Sequence, residues 1–343
     1  MNAPATLKEI AKIAGVHHTT VSMALRGKPG ISEKTRERIR QIATRLGYTP
    51  NPVFSALTRL RLHDHSPASV PKLAFLVNCA RGNSGDLPQP YLLMLDGARN
   101  EARRLGFSVE LVEAGDTELA PHVLTERLTQ GEFRGLILVA FTPGHGTVLL
   151  DWQRWTAVKI HSQHLATGLP SVCHDHAMAV AVACDRMRRK GFRRIGLVAE
   201  REIEDSIGHL CLGGYLLYQH NHPGAGEIPA LVLPYSRDVS QIQNLVTNWS
   251  ERHQVDCILT YSVPVQQVVA HTRRQTTCVS LALSEPSAKG PGVFLHYEAL
   301  GQRAAALLVS RLRLGSPLRP GESCTSTFVE PTWRRGEQEE ALA

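Results

Sequence analysis

The chain lacks the marks of several large classes of protein. No run of 18 apolar residues occurs and no secretory leader is legible, so neither a membrane span nor export is supported. Its seven cysteines are odd in number and scattered, with no C-x-x-C pair, which fits a reducing cytoplasm. Catalytic signatures are missing too. There is no G-x-x-x-x-G-K-[ST], no G-x-S-x-G and no G-x-G-x-x-G after an expected strand, and the G-N-S-G at Gly82 to Gly85 has the wrong spacing for a phosphate loop. Among sixteen histidines there is no H-E-x-x-H. Cys173-His174-Asp175-His176, His161 with His164, and His220 with His222 lack metal-ligand spacing, so no metal and no cofactor is expected. An enzyme is therefore the weaker reading, although doubly wound lobes also serve as catalytic scaffolds.

Acidic residues are scarce at one end. Residues 1–62 hold 11 Lys/Arg against 3 Asp/Glu, a net of +8, while the whole chain is +7, so the rest sums to about −1. The basicity is local, and so is the polyanion contact it implies.

This basic segment reads as three short helices. Thr6 followed by Glu9 is a capping box, after which Leu7, Ile10, Ala11 and Ala14 share one helical face and Gly15 ends it. A second helix turns Val21, Ala24 and Leu25 inward and leaves His17, His18, Thr19, Ser22 and Met23 free, the layout of a helix-turn-helix. Ser32 caps a third with a stripe of Ile39, Ile42, Ala43 and Leu46, and Gly47 sits where a C-terminal glycine belongs. Lys34, Arg36, Arg38, Arg40 and Arg45 form its other face. A charge run is usually a solvated surface, but a core this small gives so many like charges little support. Phosphates would relieve the repulsion. Asn51 and Pro52 then open a short segment in which Val53, Ala56, Leu57 and Leu60 share a face, and a helix of about ten residues is marginal alone in water.

Five motifs in this region, T-L-K-E-I-A at Thr6 to Ala11, A-G-V at Ala14 to Val16, T-V-S at Thr20 to Ser22, I-S-E-K-T-R at Ile31 to Arg36 and L-G-Y-T-P-N at Leu46 to Asn51, together resemble the head and hinge of the lac repressor family of bacterial transcription regulators. The resemblance implies a second helix in the major groove, with His18, Thr19 and Met23 reading base edges. Met23 stands where the family often has Arg and has no bidentate contact to offer guanine, so a thymine methyl is its expected target. Thr6, Thr20, Ser22, Arg26, Thr35, Tyr48 and Asn51 match phosphate-contacting positions, a role that positions without specifying. Leu57 matches the hinge residue that wedges a minor-groove step and bends the duplex.

Beyond residue 70 apolar runs alternate with helical patterns, the signature of parallel α/β structure. Strands are expected at Leu73 to Asn78, Ser108 to Val112, Gly135 to Ala140, Ala157 to Ile160, Ile195 to Ala199, Cys257 to Thr260 and Val279 to Leu283. Helices are expected near Tyr91 to Leu105, His122 to Gln130, Ala177 to Arg189, Ile207 to His220, Val239 to Arg252 and Tyr297 to Leu314. D-G-A-R-N-E-A-R-R-L-G-F at Asp96 to Phe107, G-F-R-R-I-G-L-V at Gly191 to Val198 and L-G-Q-R-A-A-A-L-L at Leu300 to Leu308 carry the resemblance further, implying two Rossmann-like lobes as in periplasmic sugar-binding proteins. The expected organisation is an all-α helix-turn-helix head over 1–49, a hinge helix over 50–62, a linker over 63–70, an α/β effector and dimerisation domain over 71–335, and a tail over 336–343. Lobe 1 is expected over about 71–161 and 292–318, lobe 2 over about 162–291 and 319–335.

In the implied cleft, three family positions that commonly supply polar groups to a sugar read Ser262, Cys211 and Ser284 here, so no guanidinium and no carboxylate is expected from them and a standard pentose or hexose mode is disfavoured. Asn78, Arg81, Tyr261 and Tyr297 are further candidates to line it. The partners implied are pseudo-palindromic double-stranded operator DNA, a small-molecule effector such as a sugar derivative, and a second copy of the chain, with no membrane. An architectural DNA-binding dimer indifferent to ligand is the alternative.

Overall fold

The computed structural model describes residues 6–25, 31–46, 48, 70–78, 87–114, 121–139, 150, 154–161, 168–223, 227–235, 238–271, 276–284, 290–315 and 324–334. The chain divides into two compact units, Met1–Ala68 and Ser69–Ala343.

In the first unit, α1 (Leu7–Ala14), α2 (His18–Leu25) and α3 (Glu33–Arg45) pack on one another. The capping box at the start of α1 closes as its spacing predicts: Thr6 N–H donates to the Glu9 carboxylate at 2.7 Å, and Glu9 N–H donates to the Thr6 hydroxyl at 3.3 Å. Gly15 ends α1 at φ 61°, a left-handed conformation that suits a residue without Cβ. Ser32 caps α3 by accepting from Thr35 N–H at 3.3 Å. Ile10, Val21, Ala24 and Ile39 are fully buried at the centre, with Leu7, Val16, Leu25, Leu46 and Tyr48 packed around them. Gly47 lies outside the described residues, as does all of the expected hinge helix.

The second unit runs β1 (Lys72–Val77), α4 (Gln89–Arg104), β2 (Ser108–Glu113), α5 (Pro121–Gln130), β3 (Phe133–Val139), β4 (Thr156–Ile160), β5 (Ser171–His174), α6 (His176–Arg189), β6 (Ile195–Glu200), α7 (Arg201–Ile207), α8 (Leu210–Asn221), β7 (Leu231–Leu233), α9 (Val239–Arg252), β8 (Cys257–Thr260), α10 (Val263–Ala270), β9 (Thr277–Leu283), β10 (Gly292–Phe294), α11 (Tyr297–Leu314), β11 (Ser326–Val329) and β12 (Thr332–Arg334). Two six-stranded sheets result, β11-β5-β4-β3-β1-β2 and β12-β10-β9-β8-β6-β7. The described pairings are parallel except β10 with β12. Strands such as β1, β4 and β5 are almost wholly buried, as parallel strands covered on both faces must be, and β1 is nearly all apolar.

The chain passes between lobes three times, and the places differ from those expected. β5, expected in lobe 2, pairs with β4 through Lys159 to Ser171 and Ile160 to Val172, and β11 pairs with β5 from Ser326 to Val329. Both strands therefore extend the first sheet. β10, expected in lobe 1, pairs with β9 and β12 in the second. The crossings accordingly fall at β5 to α6, β10 to α11 and β11 to β12. They are stitched together where Asp175 N–H donates to the Val329 carbonyl at 3.0 Å and His296 Nε2 lies 2.9 Å from the Thr332 hydroxyl.

The helix expected from Ile207 starts later, and a short helix precedes it that was not expected. Gly208 (φ 71°) and His209 (φ 58°) both take left-handed backbone, so α7 closes at Ile207 and α8 starts at Leu210. α4 and α11 cross with their backbones almost touching, because Gly97 faces the backbone of Glu298 and Gly301 that of Met94. These glycines belong to two of the motifs that carry the family resemblance in this region.

Candidate nucleic-acid interface and effector cleft

The buried side of α2 is Val21 and Ala24, which turns His18, Thr19 and Met23 to solvent on the opposite side, while Thr20 and Ser22 are half-buried at its edges. The i, i+4 spacing of Thr19 with Met23 and His18 with Ser22 puts all four on one face. The face is partly ordered: His17 Nδ1 lies 2.9 Å from the Thr19 hydroxyl, and the His17 and His18 rings sit 4.2 Å apart. A short exposed helix with a hydroxyl, an imidazole and a thioether side by side offers both hydrogen bonds and apolar contact to base edges.

The arginines of α3 are less free than their number suggests. Arg38 reaches back to the carbonyl of Ala14, where it satisfies the C-terminal end of α1. Glu33 lies 3.6 Å from Arg36 and 3.8 Å from Arg40, and Glu37 also reaches Arg40 at 3.8 Å. Two of the head's three acidic residues thus sit on the same helix as the positive charge. Thr6 is exposed at the start of α1, Thr35 is half-buried on the first turn of α3 with its hydroxyl 2.8 Å from that of Ser32, and Tyr48 packs half-buried on the core. Arg26, Asn51 and Leu57 lie outside the described residues.

In the second unit, a buried carboxylate lies beside two of the candidate residues, Cys211 and Tyr261. Glu204, on α7, is fully buried. One carboxylate oxygen accepts from the Tyr261 hydroxyl at 2.8 Å and the other from Leu212 N–H at 3.2 Å, and the Cys211 thiol is a further partner. Burial raises the Glu204 carboxyl above its ordinary range, a shift that these hydrogen bonds partly oppose. Cys211 and Tyr261 are therefore brought together, around a residue that sequence reasoning passed over. Ser262 is buried as the cap of α10, accepting from Val265 N–H at 3.4 Å. Ser284, after β9, donates to Gln89, at the start of α4, across 3.4 Å and so links the lobes. Tyr297, half-buried, packs against the cores of both lobes. Asn78 follows β1, and Arg81 lies outside the described residues.

A second cluster forms at the first crossing. His161 follows β4 directly with φ 53° and donates its N–H to the Val172 carbonyl of β5 at 3.1 Å; His174 is the last residue of β5, and His176 the first of α6. The ring centroids lie 5.0, 5.2 and 5.7 Å apart, and each residue presents a ring nitrogen within 4.8 Å of the other two. His174 and His176 are buried, and Tyr297 packs edge-on to His174 at 4.8 Å. Burial lowers His161 to about 4 and holds the other two well below the ordinary histidine range. Nδ1 of His161, Nε2 of His176 and one ring nitrogen of His174 have no hydrogen-bond partner among the described residues, the other His174 nitrogen being within reach of the Leu295 backbone. A buried polar atom left unpaired costs about 1–3 kcal/mol. Sequence spacing hid the group because the contact between His161 and His174 arises only from the pairing of β4 with β5.

Residues 6–51 match the model of "Bacterial regulatory proteins, lacI family". That match is confined to the head. Among curated proteins the chain is similar to the HTH-type transcriptional regulator TreR of Salmonella typhimurium, with 23% identity over 226 residues, 63% of this chain and 64% of that protein's length. Among solved structures it is similar to a transcriptional regulator CelR–cellobiose complex (TM-score 0.58, 20% identity, 96% of this chain and 98% of that one) and to the lac repressor dimer bound to operator and the anti-inducer ONPF (TM-score 0.56, 18% identity, 97% and 98%). These likenesses agree with the two-lobed α/β architecture. The lacI-family match covers α1, α2 and α3 completely, and with them the exposed face of His18, Thr19 and Met23. Among the described residues no helix is long and apolar enough to cross a membrane.

Proposed function

We propose that the protein is a cytoplasmic, dimeric, sequence-specific transcription regulator that acts as a repressor and binds without catalysing turnover. The observation that carries this reading is the solvent-facing polar side of α2 within a capped helix-turn-helix that matches the lacI family. The local charge of +8 supplies the sequence-independent part of DNA affinity. His18, Thr19 and Met23 read bases; Thr6, Thr20, Ser22, Arg26, Thr35, Tyr48 and Asn51 hold phosphates; and Leu57, from a hinge segment ordered on the operator, wedges open a central step. Pairing of two copies makes the operator pseudo-palindromic, because half-site symmetry mirrors protein symmetry.

The two-lobed unit senses a small molecule between its lobes. Glu204 with Tyr261 and Cys211 in lobe 2, and the Ser284 to Gln89 link between lobes, supply polar groups for it, in place of the guanidinium of a typical sugar site. A ligand shifts operator affinity only by binding the two lobe arrangements unequally.

Fluorescence anisotropy with a selected operator tests the proposal. Affinity is expected to fall steeply on a log–log plot against salt and to vanish on deletion of residues 1–62. Affinity indifferent to salt, or surviving the deletion, would overturn it.

A further inference from the structure

We propose that His161, His174 and His176 form a binding site for one divalent first-row transition ion, of which zinc is the type, placed where the chain first crosses between the lobes. The binding claim is independent of the regulator reading; its regulatory consequence rests on that reading.

Three imidazoles, from just after one strand, the end of the next and a helix start, converge there, each with at least one buried ring nitrogen that meets no partner among the described residues. Native structures rarely leave several such atoms together, and a cluster of them calls for an occupant. Water is a poor one for a set with no other polar group among its members. An anion is a worse one, because it would need protonated rings and burial opposes that form. A cation that takes neutral imidazole satisfies the nitrogens directly. Nitrogens bound at 2.0–2.1 Å around a tetrahedral ion lie about 3.4 Å apart, so the present limit of 4.8 Å needs to close by about 1.4 Å. Rotation of rings placed on strand and helix ends provides that. Three protein ligands leave the fourth position of a tetrahedral ion for water or an effector atom.

The placement sets the consequence. His174 ends a strand of the first sheet and His161 directly follows its neighbour β4, whereas His176 opens α6, whose Ala179, Val180 and Ala183 pack into the core of lobe 2. An ion held by all three ties the lobes at their pivot, and so favours one arrangement over the other.

The test uses the full chain without an affinity tag, stripped by chelation and titrated with Co(II) as the spectroscopic probe and with Zn(II) in competition. The expected result is one high-affinity equivalent per chain, with the intense visible bands of tetrahedral cobalt displaced by zinc. His161→Asn and His176→Gln should each weaken that site by more than the 10–100-fold that loss of an outer-shell partner costs, and His220→Gln at the surface should leave it unchanged. Circular dichroism identifies a variant that fails to fold, and the wild-type stoichiometry and spectrum decide the matter even then. No tetrahedral spectrum in the wild type, or one retained in both variants, overturns the proposal. Operator affinity measured in chelator reports on the regulator reading separately, so failure of one is distinguishable from failure of the other.

Discussion

Replacing Gly301 by alanine is predicted to destabilise the large unit, whereas the same replacement at Gly213 is predicted to stabilise it. Both glycines lie inside helices, α11 and α8, and away from tertiary contact alanine is favoured over glycine there by about 1 kcal/mol. The neighbours differ. A Cβ on Gly213 meets nothing within 4 Å, but one on Gly301 would fall 1.8 Å from the Met94 carbonyl oxygen and 2.7 Å from its carbon. Backbone inside α4 has no rotamer with which to yield, so the helices must part by well over an ångström. Leu300, Ala304, Ala305 and Leu308, all fully buried on α11, would then lose contact. Overpacking of this kind costs about 1–3 kcal/mol, and a backbone obstacle belongs at the upper end. Set against the helix preference, Gly301→Ala should lose about 2 kcal/mol and Gly213→Ala should gain up to about 1 kcal/mol. Urea unfolding followed by circular dichroism and tryptophan fluorescence measures both. A Gly301→Ala variant no less stable than Gly213→Ala would show that α4 and α11 do not approach as described.

Thr19→Ala and His18→Ala are predicted to change base preference by about 1–3 kcal/mol of discrimination at single operator positions, and selection on randomised half-sites would expose unaltered preferences. Arg38→Ala should loosen the end of α1 by on the order of 1 kcal/mol, a charge-assisted hydrogen bond discounted for exposure, while base preference stays the same; hydrogen exchange of the α1 amides in the full chain checks this. For Glu204 the sign follows from its raised pKa. The folded state holds the proton where the unfolded chain has already released it, so stability is lost as the pH rises from the unfolded value of 4.5 through the folded one. Glu204→Gln should therefore gain on the wild type between pH 4 and 8, by about 1.4 kcal/mol for each tenfold weakening of the carboxyl as an acid, and parallel urea midpoints would show that the carboxyl does not titrate in this way.

What could be read from the sequence was whatever the chain decides locally. The Thr6 to Glu9 box, the Ser32 cap and the helical stripes of the head depend on residues three or four apart, and each is found where its spacing predicts. The long strands and helices of the large unit show for the same reason. β7, β10 and β12 are three residues each and carry no period. The lobe boundaries depend on which strand pairs with which, and β5 joins β4 through contacts that no local pattern encodes. Glu204 was missed, and His161 set aside, for the same reason. One lies buried on a helix that ends at an unforeseen left-handed pair, and the other meets His174 only once two strands align.

The three crossings have a consequence for synthesis. Neither lobe is a continuous piece of chain: lobe 1 needs α11 and β11 to cover and extend a sheet whose other strands are made much earlier. A nascent chain can form the head as soon as residue 48 clears the ribosome, but the first sheet waits without its edge strand until residue 329 has emerged, by which time β6 to β10 of lobe 2 are already present. Domains commonly mature in order from the N-terminus. Here both lobes must reach completion almost together near the end of translation, and a chain stopped before β11 leaves two open sheets rather than one finished lobe.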